Sequence, residues 1–227
     1  MQTVTYNGVS VATLGGIVLG VSPAIRAARR IESVVVPGRS GVLHIDDNSY
    51  APIKKVVRVG VNTPDNIDGI SAWCIKAGTL ATSYEPDRAY NAVQGAEIEW
   101  ERLSRRLYQA EITFECEPFR YLYPAADDIV LSAPGNVTNP GSASAAPLYV
   151  VVGSGDIALT VGGQIVALTD LTTGITLDSD MQIAYTGTAN MSANMSGDFP
   201  VLLPGVNAIS WTGSVTSITI TPRWRCL

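Results

Sequence analysis

The chain has 227 residues, 46% of them hydrophobic and only 15% charged, with a net charge of −5 and a pI near 4.8. That length allows one large or two small domains. The acidic balance excludes a nucleic-acid binder, which would carry a basic footprint. The charged fraction is well under the ~25% of an average globular protein, so some surface is available for burial against further copies or partners.

Residues 8–25, GVSVATLGGIVLGVSPAI, precede the first charged side chain, Arg26. Glycines, a proline and hydroxyl residues interrupt this stretch, and no basic segment leads into it. It reads as strand pieces joined by glycine turns rather than as a membrane span or a leader. The next feature is 34-VVVPGRSGVLHI-45, two apolar runs of strand formers joined through Pro37-Gly38 and Gly41, which predicts a hairpin with Arg39 exposed at its tip. His44, the only histidine, has no nucleophile that the sequence can place beside it, so it is read as structural.

A helix is predicted over about 64–77. Thr63 can cap it, Pro64 suits the first helical position, and Asp65 and Asp68 fall in the first turn. Ile67, Ile70, Trp73, Cys74 and Ala77 follow at helical spacing, and Gly78 stops the run.

Residues 96–103 and 108–117 alternate between apolar and polar, the signature of half-buried antiparallel strands, with a polar connection at 103–107. Glu97, Glu99 and Glu101 would share one strand face ~6–7 Å apart, a spacing that invites a glycosidase argument, but such a row is the ordinary composition of a solvated face.

Beyond Tyr123 the texture changes. Residues 1–120 hold 13 basic and 13 acidic residues, and the remainder holds two basic and seven acidic, which marks a domain boundary. The division expected is 1–125 and 126–227, joined through the Gly/Pro/Ser-rich segment 132–147. Short apolar runs then recur about every ten residues (LYVVV, IALTV, QIVAL, GITLD, QIAYTG, FPVLL, NAISWT, VTSITITP), the pattern of a β-sandwich or jelly roll.

The chemistry is sparse. No nucleophile elbow, HExxH or Walker motif is present, and Asp178-Ser-Asp180 lacks the other ligands of a calcium loop. Cys74, Cys116 and Cys226 are far apart and in no metal-ligand spacing, so they read as buried, reduced thiols of a protein made in a cytosol. No enzyme, no cofactor and no metal is expected.

An ordered set of short motifs runs along nearly the whole chain: Tyr6-Asn7-Gly8 followed by Leu14-Gly15, VPGRSG, the Trp-bearing helix, 116-CEPFRY-121, Asn139-x-Gly141 with Pro147, 177-LDSD-180 with Tyr185, 198-DFPVLLPGVNAIS-210, and ITPRWR at 220–225. In this order they resemble the distal tail (Dit) proteins of long, non-contractile-tailed bacteriophages.

The resemblance implies a mainly β protein. Its N-terminal part would be a sandwich- or barrel-like ring-forming domain with one packed helix, and its C-terminal part a galectin-like jelly roll. It also implies a virion protein of the phage tail tip, synthesised in the bacterial cytoplasm and assembled as a homo-oligomeric, hexameric ring. That ring would join the tail tube protein to the tail hub protein and the receptor-binding apparatus, with no membrane insertion. Arg26, Arg29, Arg30 and Arg39 are the candidate assembly contacts. The alternative is a carbohydrate-binding module that contacts host glycans through Trp211 or Tyr185 of the C-terminal jelly roll, although both aromatics lie in apolar-rich strands where core positions are expected.

Overall fold

The computed structural model describes residues 2–227. The chain divides into two compact units, one running up to Tyr123 and including Leu227, the other Pro124–Cys226. Both are mainly antiparallel β.

In the first unit the strands are β1 (Val4–Tyr6), β2 (Val9–Ser10), β3 (Gly16–Val21), β4 (Arg29–Val35), β5 (Val42–Tyr50), β6 (Ile53–Val61), β7 (Gly78–Thr82), β8 (Glu85–Gln94), β9 (Trp100–Arg102), β10 (Tyr108–Cys116) and β11 (Arg120–Leu122). The main sheet runs β2-β1-β7-β8-β10-β6-β3, with β9 beside β10 and β11 beside β8. Strict alternation explains the burial: Val57, Val59 and Val61 of β6 and Ile112 and Phe114 of β10 face one core, joined by Val4, Tyr6 and Leu80. The glycine-interrupted N-terminal stretch forms β2, a 3-10 turn at Val11–Leu14 and β3, and no helix among the described residues is long and apolar enough to cross a membrane.

One α-helix, α1 (Asp65–Trp73), covers the core with Ile70 buried and Ile67 and Trp73 packed beside it. Tyr6 packs against Phe114 with its ring tilted by 47° at 5.0 Å and meets Trp73 edge-on at 5.6 Å. The helix is shorter than the 64–77 predicted, and Thr63 does not cap it, because Pro64 holds the N-cap position without a side-chain hydrogen bond. It stops early because tertiary bonds claim the following turn. The Tyr6 hydroxyl donates to the Lys76 carbonyl at 2.7 Å, which points residue 76 toward the sheet, and Gly78 is already the first residue of β7. The strand predicted over 96–103 is likewise only Trp100–Arg102. β8 pairs with Phe114–Cys116 along the same edge of β10, leaving Tyr108–Ala110 for β9.

A buried charge cluster crosses this unit. Lys55 is 1% exposed. Its ammonium donates to the Pro23 carbonyl at 2.9 Å and to Glu85 Oε2 at 3.2 Å, and it lies 4.6 Å from the centre of the Tyr90 ring. The Tyr90 hydroxyl donates to the same carboxylate oxygen at 2.6 Å, and Arg120 donates to Glu85 Oε1 at 3.1 Å. Burial alone would push the Glu85 carboxyl up. The Tyr90 hydroxyl, Lys55 and Arg120 outweigh it and hold the group below its ordinary value.

The second unit contains β12 (Ile129–Leu131), β13 (Gly135–Asn139), β14 (Leu148–Val161), β15 (Gln164–Leu171), β16 (Ile175–Asp178), β17 (Ile183–Thr186), β18 (Ala189–Asn190), β19 (Met195–Ser196) and β20 (Gly205–Thr221). Two long strands organise it. LYVVV and IALTV, read above as separate runs, are one strand, β14, and NAISWT and VTSITITP are likewise one, β20. The first half of β14 pairs with β16 and the second half with β15, while β20 follows it throughout.

The intervening glycines are corners rather than hairpin turns. The ladder shifts register between Val152 and Gly153 and again between Ser154 and Ala158. Gly213 has φ +94, and a Cβ there would lie 2.3 Å from the Asp156 carbonyl. On both halves Tyr149, Val151, Leu159, Val161, Ile209, Ile218 and Ile220 are buried. No α-helix is present among the described residues of this unit, so the two bent halves cover one another as a sheet-on-sheet core.

Residues 132–147 are not a connector. They contain β13 and the buried Asn139, Ala143, Ala145 and Ala146. Asn139 Nδ2 donates to the Ala143 and Leu202 carbonyls, and its Oδ1 accepts from Gly141 N. Small residues are needed there for close approach: a Cβ at Gly141 would lie 2.2 Å from the Arg225 carbonyl.

Candidate assembly surface

The hairpin predicted at 34–45 is longer than its sequence signal. Strands β4 and β5 form a two-stranded sheet that pairs with no other strand among the described residues. The turn follows from its residues. Arg39 N donates to the Val36 carbonyl at 3.2 Å, with Pro37 and a left-handed Gly38 (φ 80) between, the type II arrangement. At the root, Ala51 N donates to the Ala28 carbonyl. The arm is exposed along nearly its whole length.

What the arm exposes is unusual. Val35 is 72% exposed, and its cross-strand partner Val42, with Ile31, Leu43 and Ile45, is also uncovered. Both faces near the tip are apolar: Val35 opposes Val42 on one, Val34 opposes Leu43 on the other. A lone two-stranded ribbon with uncovered apolar side chains and free edges is marginal in water and ready to pair. The sequence marks these residues as strand formers and nothing in it shows that they are uncovered, since periodicity registers apolar content and not what lies over it.

All four candidate arginines lie on this arm or just before it. Arg26 is exposed ahead of β4 and Arg39 is exposed in the turn. Arg29 is engaged within the arm, 3.0 Å from Asp46 and 2.9 Å from Asn48 Oδ1. Arg30 lines an open groove of about 670 Å³ at the arm's root. His44 sits mid-arm with Nδ1 3.0 Å from Ser33 Oγ, so the fold places a hydroxyl beside it that the sequence could not, as an exposed cross-strand pair of the ribbon.

Glu97, Glu99 and Glu101 do come together, in an open depression of about 570 Å³ with Glu111 and Arg58. Gln109 donates to Glu101 at 2.8 Å, and Arg58 stands 3.9 Å from Glu111 with both side chains exposed. No apolar wall isolates one carboxyl as an acid, so the arrangement is a solvated face. No group of three His, Cys, Asp or Glu among the described residues could hold a metal. Asp178 is a structural node: Arg223 grips it bidentately at 2.7 and 2.9 Å, and the backbone N–H groups of Asp180 and Met181 cap it. The guanidinium holds its carboxyl below the ordinary aspartate range. Cys74, Cys116 and Cys226 are buried free thiols, and burial pushes Cys116 up to about 12.

The two aromatics considered for sugar contact part company. Trp211 lies directly opposite buried Leu159 and so faces the core. Tyr185 lies opposite Thr176, between the inward residues Ile175 and Leu177, and faces out, lining a depression of about 300 Å³ with Thr188 and Asn190.

No protein-family model matches the sequence, and no curated protein sequence is significantly similar to it. A solved structure is similar throughout: the crystal structure of SPP1 Dit (gp 19.1), described as a paradigm of the hub adsorption apparatus in phages infecting Gram-positive bacteria. It superposes with a TM-score of 0.75 at 15% identity, over 97% of this chain and 98% of that one. The chain therefore has the fold of that Dit protein over its full length, and both units take part in the likeness.

Proposed function

We propose that this chain is a structural protein of a phage tail tip: a distal-tail adaptor that assembles as a homo-oligomeric, hexameric ring and joins the tail tube to the hub and host-recognition apparatus. The single observation that carries the reading is the likeness in fold to SPP1 Dit over 97% of this chain, which spans both units. The exposed arm agrees with it. An uncovered apolar hairpin is a liability in a monomer and an asset in an assembly. The mechanism is geometric: a closed ring matches the symmetry of a tube on one face and seats a hub on the other.

Light scattering on the purified full chain, with negative-stain images of the same sample, tests this. Six copies of 24.0 kDa give about 144 kDa and a ring with a central hole. A chain that binds neither itself nor co-expressed tail tube and hub proteins refutes the adaptor.

A second reading, glycan contact by the C-terminal unit, has one observation in its favour: Tyr185 faces out beside Thr188 and Asn190, an aromatic plane next to hydroxyl and amide groups. Calorimetric titration with cell-wall saccharides, repeated on Tyr185→Ala, decides it. Heat with the parent chain that vanishes in the variant would establish binding, and its absence in both discards the reading.

A further inference from the structure

We propose that one outer sheet face of the second unit is a binding track for an extended, uncharged glycan chain. This rests on the reading of glycan contact at Tyr185, and it names the ligand class and the surface that such contact would use.

A single cross-strand row traverses this face. The strands β12, β20, β14, β16, β17 and β18 lie side by side. Their register aligns Val130, Thr219, Val150, Thr176, Tyr185 and Asn190. Along the two long strands the flanking residues Tyr149, Val151, Ile218 and Ile220 are buried, so the row faces away from the core. Five inter-strand gaps of ~4.8 Å make it about 24 Å long. Val130 at one end is 64% exposed, and Tyr185, next to the other end, lines an open depression.

The composition of the row points to its ligand. A solvated sheet face ordinarily carries lysines, arginines and carboxylates. Here methyl groups alternate with hydroxyls at the strand spacing, and the row finishes in an aromatic ring and an amide. The neighbouring row on the same face carries two carboxylates, and both are occupied. Arg223 closes Asp178, and Asp128 accepts from the Thr221 hydroxyl at 2.6 Å.

Methyl groups suit the C–H faces of sugar rings, hydroxyl and amide groups suit their hydroxyls, and one aromatic plane fixes an end. A protein interface is built around Arg, Trp or Met anchors, and the row has none. Charge selects against an anionic wall polymer. The unit holds seven acidic and two basic residues, and both arginines are engaged, Arg223 with Asp178 and Arg225 with the Ser144 carbonyl at 2.6 Å.

Isothermal calorimetry on the full chain tests this with neutral glucan, galactan and N-acetylglucosamine oligosaccharides, each as disaccharide and hexasaccharide. A hexasaccharide is expected to bind at least about tenfold more tightly than its disaccharide, the worth of one or two net hydrogen bonds along the row. Thr219→Lys should bring the hexasaccharide down to the affinity of the disaccharide. The disaccharide itself, held at Tyr185, should bind the variant as before, which also shows that the variant is folded. Thr219→Val removes only the hydroxyl and should weaken the hexasaccharide about two- to tenfold.

Hexasaccharides that bind no more tightly than disaccharides, or that are indifferent to both substitutions, overturn the track and leave glycan contact at Tyr185 standing. No heat with any saccharide ends both. Tighter binding of poly(glycerol phosphate) than of every neutral chain overturns the ligand class. A Thr219→Cys thiol shielded by co-expressed tail proteins and by no saccharide makes the row a protein contact and likewise overturns it.

Discussion

Replacing Glu85 by Gln probes the buried charge cluster of the first unit. The Glu85 carboxylate takes bonds from Lys55, Tyr90 and Arg120 at 3.2, 2.6 and 3.1 Å. Lys55 is fully enclosed, and besides Glu85 its ammonium meets the Pro23 carbonyl and the face of the Tyr90 ring. An amide in place of the carboxylate leaves the ammonium buried among neutral groups with no counter-charge on residue 85, a loss of about 3–5 kcal/mol. In a unit of this size that lowers the melting temperature by about 10–20 °C.

The assay is thermal and denaturant unfolding followed by tryptophan signals. Trp73 and Trp100 report on the first unit, Trp211 and Trp224 on the second, and only the first transition should move. The pH dependence adds a sign. The folded Glu85 value is depressed, so the unfolded chain takes up a proton first. Its contribution is complete above the ordinary glutamate value of about 4.3 and is lost as pH falls through the lower folded value. In Glu85→Gln this part of the acid limb is absent. Lys55→Met combined with Glu85→Gln should be more stable than Glu85→Gln alone, because it removes the stranded charge. A Glu85→Gln chain within about 1 kcal/mol of the parent at pH 7 refutes the cluster as an energetic centre.

Four further outcomes test the rest of the architecture. Gly213→Ala, which forces a Cβ toward the Asp156 carbonyl at a left-handed φ, should destabilise the second unit by at least about 2 kcal/mol by denaturant titration and leave the first unchanged. Asn207→Asp should be worse than Asn207→Ala, because Nδ2 donates to the Leu203 and Gly205 carbonyls at 2.8 and 3.0 Å and a carboxylate would oppose them. Tyr149→Phe should be neutral or stabilising by up to about 1–2 kcal/mol, since its hydroxyl is fully buried with no hydrogen-bond partner among the described residues. Replacing residues 31–45 by a short glycine linker should leave both melting transitions in place and abolish self-association in light scattering, and a lowered first transition would refute the arm as a free element.

The parts of the fold that were readable are those where pattern and packing coincide. Strict alternation placed β10, and Pro37-Gly38 placed the arm's turn, because local chemistry decides both. The misread parts are tertiary. Gly153 and Gly213 look like hairpin turns yet bend two continuous strands, since a glycine marks a close approach without saying what approaches. Residues 132–147 have linker composition, but their small side chains let the backbone pack tightly instead. A signal for Lys55 was present: in Ile53-Lys-Lys-Val-Val-Arg-Val it stands in phase with the inward Ile53, Val57 and Val59. A lysine in the buried register demands a partner, and only the fold names Glu85 as that partner. For the arm no such signal exists.

The motifs behind the likeness to distal tail proteins have a common role in the structure. Asn7 Oδ1 accepts from Thr79 N, Asn139 ties Ala143 and Leu202, Asn207 ties its own loop, and Asp178 from one motif is gripped by Arg223 from another. Asn139, Asn207 and Asp178 satisfy backbone groups or a charge that burial would otherwise leave unpaired, and Asn7 does the same for a backbone group at an exposed turn, so each serves the fold rather than an activity. A sequence can therefore differ from a structural relative at most positions and keep the architecture as long as these few nodes find their partners. The exposed arm lies apart from these nodes: Val35, Arg39 and Val42 are uncovered side chains constrained only by whatever surface they meet. Exchanging the arm tip between proteins of this fold should therefore transfer partner choice without moving either melting transition, whereas exchanging the nodes should move stability and leave partner choice alone.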